Sequence, residues 1–98
     1  MEKQLASYDP SSREKLGEVL ATSTEQISEI VAQGHAAAKS WKRLGVAERM
    51  KLLEKAYANL EPQLDKLAIL LSREMGKDHR RAKGEVSGVC FGGPYIAQ

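Results

Sequence analysis

Cysteine is almost missing from this 98-residue sequence: Cys90 stands alone, so no disulfide can form within the chain. A single thiol fits a reducing, cytoplasmic setting. Long hydrophobic runs are missing too. The longest, Leu67 to Leu71 (LAILL), falls far short of the roughly 20 residues a membrane-spanning helix needs. The opening residues, MEKQLASYDP, lack the apolar core of a secretory signal. Neither sign of charge is in excess. Fifteen Lys and Arg against thirteen Asp and Glu leave +2, too little to call for nucleic acid or an acidic membrane as partner. No glycine-rich phosphate loop occurs, since neither GxxxxGK nor GxGxxG is present. His35 and His79 have no Cys, His or carboxylate at metal-ligand spacing. Repeats and low-complexity stretches are absent as well. What remains, 42% hydrophobic and 29% charged, is the composition of an ordinary globular chain holding at most one small domain.

The strongest pattern lies between Val46 and Lys77. Val46, Met50, Leu53, Tyr57, Leu60, Leu64, Leu67, Leu71 and Met75 recur at steps of three and four. That spacing puts them on one face of a helix. Glu48, Lys51, Glu54, Lys55, Asn59, Gln63 and Lys66 occupy the other face. Pro62 interrupts the pattern, because a helix-interior proline removes a hydrogen bond and clashes with the preceding turn. Two helices are expected, about Val46–Leu60 and Pro62–Met75, with Pro62 at the first helical position. Gly45 serves as N-cap of the first, and Gly76 as left-handed C-cap of the second.

Upstream, residues 1–22 read as a short β-hairpin. Asp9-Pro10-Ser11-Ser12 is turn chemistry, and Leu5–Tyr8 and Lys15–Ala21 are its strands. A helix follows from about Thr22–Thr24 to Leu44, with Ser23 and Gln26, and equally Thr22 and Glu25, spaced as a capping box. Its face is Ile27, Ile30, Val31, Gly34, Ala37, Ala38, Trp41 and Leu44, small in the middle. Downstream, Ala82, Val86, Val89 and Cys90 recur at helical spacing, and Gly84, Gly88 and Gly92 every four residues. So many glycines weaken a helix and suit one pressed close to another backbone. Gly92-Gly93-Pro94 is expected to end or kink it. The fold class is therefore mainly α, three to four helices over 23–98 behind an N-terminal hairpin.

Several stretches in this order resemble the N-terminal portion of the NAD(P)-dependent aldehyde dehydrogenase superfamily. Asp9-Pro10-Ser11-Ser12 with Leu16-Gly17-Glu18-Val19 is similar to the family's opening N-P-x-T-G-x-x-I-G-E-V hairpin. Gln33 to Trp41 is similar to its helix ending A-x-x-A-F-x-x-W. Ala47-Glu48-Arg49 with Leu52-Leu53 resembles A-E-R-x-x-x-L, and Leu67 to Lys77 resembles L-A-x-L-x-x-x-E-x-G-K. Glu85-Val86 falls where a family E-V opens a further helix. Asp9 replaces the usual Asn, and Arg13 stands where Gly is expected; both departures bear on the hairpin's turn.

The resemblance implies that residues 1–98 are an incomplete part of the family's α/β, Rossmann-like cofactor-binding domain. Full-length members oxidise aldehydes with NAD or NADP, through a nucleophilic cysteine, a glutamate base and an asparagine-lined oxyanion site. Those residues, and the nucleotide-binding strands, lie beyond this region in family members. No catalytic, cofactor-binding or metal residue is therefore assigned within the chain. The expected partners are the remainder of a dehydrogenase chain and, by resemblance, a homo-oligomer; nucleic acid and membrane are not expected. The apolar stripe is expected to meet the Ile27–Trp41 helix and a sheet the chain does not contain.

Single residues read the same way. Cys90 sits in G-V-C-F-G-G, unlike the family's G-Q-x-C nucleophile motif, and is read as a structural thiol. Glu74 is read as a contact that fixes the turn at Gly76. Lys77, Arg80, Arg81 and Lys83 form a basic run read as a solvated face. An alternative reading takes the heptad-like stripe as a dimerisation seam of a small helical interaction protein using Val46–Met75.

Overall fold

The computed structural model describes residues 3–97, so Met1, Glu2 and Gln98 lie outside the described residues. The elements run β1 (Gln4–Tyr8), β2 (Lys15–Leu20), α1 (Thr24–Arg43), α2 (Gly45–Ala58), a 3-10 turn (Glu61–Gln63), α3 (Leu64–Met75) and α4 (His79–Ala97). The mainly helical order behind a short hairpin is the one the sequence predicts.

The strands pair antiparallel, Leu5 opposite Val19 and Ser7 opposite Gly17, with a register slip between Ser7 and Tyr8. Asp9 builds the turn between them. Its Oδ1 accepts from the Ser11 backbone N–H at 2.8 Å, the Ser11 hydroxyl at 2.8 Å and the Ser12 N–H at 3.2 Å. Arg13 closes the turn at φ 65, left-handed backbone that costs a side-chain-bearing residue about 1–2 kcal/mol. Its N–H donates to the Asp9 carbonyl at 2.8 Å. The two departures from the family pattern thus leave a formed turn, with arginine held in the conformation glycine would adopt freely.

The hairpin leans on the end of α3. The Ser7 hydroxyl donates to Glu74 Oε1 at 3.0 Å, and Arg73 pairs with Glu14 at 3.3 Å. Gly76 caps α3 at φ 65, and a Cβ there would lie 2.9 Å from Pro10 Cγ. The Ser72 hydroxyl donates to the Lys77 carbonyl at 2.6 Å and secures the same turn.

Local signals place the helix ends well. Ser23 and Gln26 form the expected capping box, with Gln26 Oε1 accepting from the Ser23 N–H at 3.0 Å, and α1 begins at Thr24. Gly45 is not the N-cap but the first residue of α2, at φ 76, with Leu44 as cap. The chain breaks direction there because glycine accepts left-handed backbone without strain. Pro62 does separate two helices, but it lies in the 3-10 turn rather than opening α3, which begins at Leu64. The Gln63 N–H donates to the Leu60 carbonyl at 2.9 Å in that turn.

Two expectations for α4 are corrected. The helix does not end at Gly92-Gly93-Pro94 but continues to Ala97. Gly84, Gly88 and Gly92 are not pressed on another backbone, since a Cβ at each would meet nothing within 4 Å. The close approach falls at Gly93, where a Cβ would overlap the Tyr57 ring of α2. This contact across the fold helps α4 persist past residues whose own propensities oppose it. The stripe meets the first helix in part: its α2 half touches α1 as well as α4, whereas its α3 half packs mainly on α4.

The whole is a thin slab of 48 × 38 × 16 Å with a radius of gyration of 17.4 Å, against about 13 Å for a compact domain of this length. Among the described residues only Ala68, Ala82 and Cys90 are buried. The accessible surface is 8195 Å², where a folded monomer of 10.8 kDa exposes about 5,500 Å².

Candidate functional site

Two hollows among the described residues bear on function. The smaller is a groove of about 320 Å³ between α3 and α4, walled by Leu60, Leu67, Leu71, Val86 and Val89 and reaching Cys90. Three- and four-residue spacing on each helix puts these side chains along the groove, with Val89 at its exposed rim. Cys90 is 5% exposed, the buried small hydrophobe expected of it. Glu74 lines the same groove, so the structure brings together a thiol and a carboxylate far apart in sequence. The carboxylate is already engaged by the Ser7 hydroxyl, and no hydrogen bond to the Cys90 thiol is present among the described residues. A nucleophilic cysteine needs a base within hydrogen-bond reach, and this groove presents apolar wall instead. Its leucine and valine walls suit an apolar side chain.

The larger hollow, about 910 Å³, opens between the hairpin and the start of α1, with Lys3, Leu5, Leu20, Ser23, Glu25 and Ile30 along it. The α1 N-terminus in its wall already engages the Gln26 side chain. No buried polar group faces this hollow, because none is present among the described residues.

The basic run at the start of α4 is half neutralised. Lys77 pairs with Glu85, and Lys83 pairs with Asp65 at 3.2 Å. Asp78, adjacent in sequence, is the N-cap: its Oδ1 accepts from the Arg80 N–H at 2.7 Å, and its carbonyl accepts from the Ala82 N–H at 2.9 Å. A carboxylate therefore already occupies the anion-favouring end of α4. Arg80 and Arg81 are exposed. His35 and His79 are exposed and far from one another in the chain, and no group of three or more metal-ligating side chains occurs among the described residues.

Among the described residues, the one group with a shifted acidity is Asp9. Hydrogen bonds from the Ser11 side chain, then the Ser11 and Ser12 backbone, hold its carboxyl below the ordinary value of 3.8, with a smaller contribution from Arg73. It titrates as a turn residue, not as an acid poised near neutrality.

Sequence reasoning missed the Asp78 cap, although Asp before a helix start is a recognised signal. It also missed the Ser7–Glu74 and Tyr57–Gly93 contacts, which no local signal encodes. Among the described residues no helix is long and apolar enough to cross a membrane. The interruption at Glu61–Gln63 removes the continuous seam that a dimer along Val46–Met75 needs.

Known proteins supply the context for this architecture. A model described as the aldehyde dehydrogenase family matches residues 1–97. An NADP-dependent glyceraldehyde-3-phosphate dehydrogenase of Streptococcus equinus is 36% identical over 84 residues, covering 86% of this chain and 18% of that enzyme. A mitochondrial succinate-semialdehyde dehydrogenase of Rattus norvegicus is 37% identical over 79 residues, 81% of this chain and 15% of that enzyme. A malonate-semialdehyde dehydrogenase 2 of Oceanobacillus iheyensis is 31% identical over 85 residues, 87% and 18% respectively. No solved structure matches. The chain spans less than a fifth of the length of these relatives. A match along nearly its whole length, on a hairpin and helices in the predicted order, makes this chain a member of the aldehyde dehydrogenase family.

Proposed function

We propose that residues 1–98 are a scaffold segment of the cofactor-binding domain of an NAD- or NADP-dependent aldehyde dehydrogenase that oxidises an aldehyde to a carboxylic acid. The segment supplies no nucleophile, base or nucleotide contact and is inactive alone. Its partner is the remainder of the dehydrogenase chain, and its single thiol fits a cytoplasmic location. The observation that carries this reading is the unfinished surface, 8195 Å² against about 5,500 Å² for a complete monomer of this mass. Relatives of similar identity are named for three different aldehydes, so similarity in the matched region does not select the substrate. The purified 98-residue chain, mixed with short aliphatic aldehydes and NAD or NADP, should give no nicotinamide reduction above a protein-free blank. Aldehyde oxidation by the chain alone contradicts the reading.

A further inference from the structure

We infer that residues 3–44, the hairpin and α1 together, form a strap that hinges at Gly45 and is latched at its other end to the tip of α3. Such a strap depends only on contacts within the chain, and so goes beyond the scaffold role just proposed. Burial is lopsided. Among the described residues the buried side chains are Ala68, Ala82 and Cys90, all on α3 and α4. Residues 3–44 contribute none. The strap meets the remaining helices mainly at two places: α1 packs on α2, and β1 packs on α3.

The hinge is the joint between α1 and α2. Only Leu44 separates the end of α1 at Arg43 from the start of α2 at Gly45. Gly45 has φ 76, and a Cβ there would meet nothing within 4 Å. Glycine moves between left- and right-handed backbone at no side-chain cost, and hinges are a few element-terminal residues that absorb such changes. The joint between hairpin and α1 is tighter. The Ala21 N–H donates to the Lys3 carbonyl at 2.8 Å, and the Ser23–Gln26 capping box begins two residues later. Only Thr22 lies between them, so hairpin and α1 turn together. The latch is the last turn of α3 with its cap. Glu74 accepts from the Ser7 hydroxyl at 3.0 Å, Arg73 pairs with Glu14 at 3.3 Å, and Pro10 sits over Gly76. The two polar contacts are exposed, and exposed contacts of this kind are individually weak. They hold the strap reversibly. Glu74 also lines the groove between α3 and α4, so release of the strap frees a carboxylate oxygen at that groove.

A distance measurement on the full 98-residue chain tests the strap. Cys90→Ala removes the one native thiol. Spin labels are then placed through Ser28→Cys on α1 and Lys66→Cys on α3, both exposed positions, and double electron–electron resonance reads their separation. A second pair, Lys66→Cys with Arg81→Cys, reports α3 against α4. Ser7→Ala with Glu14→Ala removes the hairpin's side of both polar contacts and leaves α3 unaltered; circular dichroism checks that helicity is kept. With the latch intact, one narrow α1–α3 distribution should dominate. With the latch cut, the longer-distance fraction should rise about threefold to tenfold, the factor carried by about one net hydrogen bond, while the α3–α4 pair stays unchanged. An unchanged α1–α3 distribution overturns the strap, because the hairpin then moves without α1 or not at all. A distribution already broad with the latch intact overturns the latch. An equal shift in the α3–α4 pair overturns the hinge, because the whole chain has then loosened.

Discussion

Gly76 is fixed by two separate constraints, its left-handed φ of 65 and the Pro10 ring 2.9 Å from where a Cβ would stand. Gly76→Ala should therefore loosen the turn by about 1–2 kcal/mol. Hydrogen exchange at the β1–β2 amides reads this directly, because the hairpin leans on that turn; unchanged protection contradicts the contact. Asp9 gives a pH test of the same region. Its folded-state pKa lies below the ordinary 3.8 because Ser11 and Ser12 donate to the carboxylate. Its contribution is thus fully present above the unfolded value and is lost as pH falls through the lower folded value. The Ser11 and Ser12 amide resonances should titrate with a midpoint below 3.8, and Asp9→Asn, which keeps an acceptor, should abolish that titration. A midpoint at or above 3.8 removes the proposed bonding.

At the scale of elements, what the sequence encodes locally was legible. Gln26 Oε1 reaches the Ser23 N–H, Pro62 separates α2 from α3, and Gly76 caps α3 because each acts within a turn of its own position. Contacts between distant segments were not legible. Gly92-Gly93-Pro94 reads as a stop, yet α4 runs on past it with Gly93 against Tyr57. Ser7 and Glu74 meet only because the hairpin folds onto α3. The candidate site was legible mainly as scaffold: the family motifs lie on helix ends and turns, and Cys90 is buried in an apolar groove. The glycines of α4 yield a test with a context-dependent sign. Gly84 and Gly88 face open space in this chain. Replacing each by alanine should raise the helicity of the isolated chain, by about 1 kcal/mol per site, read as deeper far-ultraviolet circular dichroism. A fall in helicity means that these glycines already meet a backbone.

The molecule as a whole is a slab 16 Å thick in its smallest dimension, with Ile27, Ile30, Val31, Val89 and Phe91 each at least half exposed. Burial of this surface within a longer dehydrogenase is the role proposed for it. The central claim is that these residues work within a longer dehydrogenase. An antibody raised against residues 64–83, used on extracts of the source organism, tests it most directly. Since 84 matched residues are 18% of one relative and 79 are 15% of another, the account predicts a polypeptide about five times the length of this chain, recovered with aldehyde-dependent nicotinamide reduction. A single species of 10.8 kDa, stable and free of any larger partner, would contradict it.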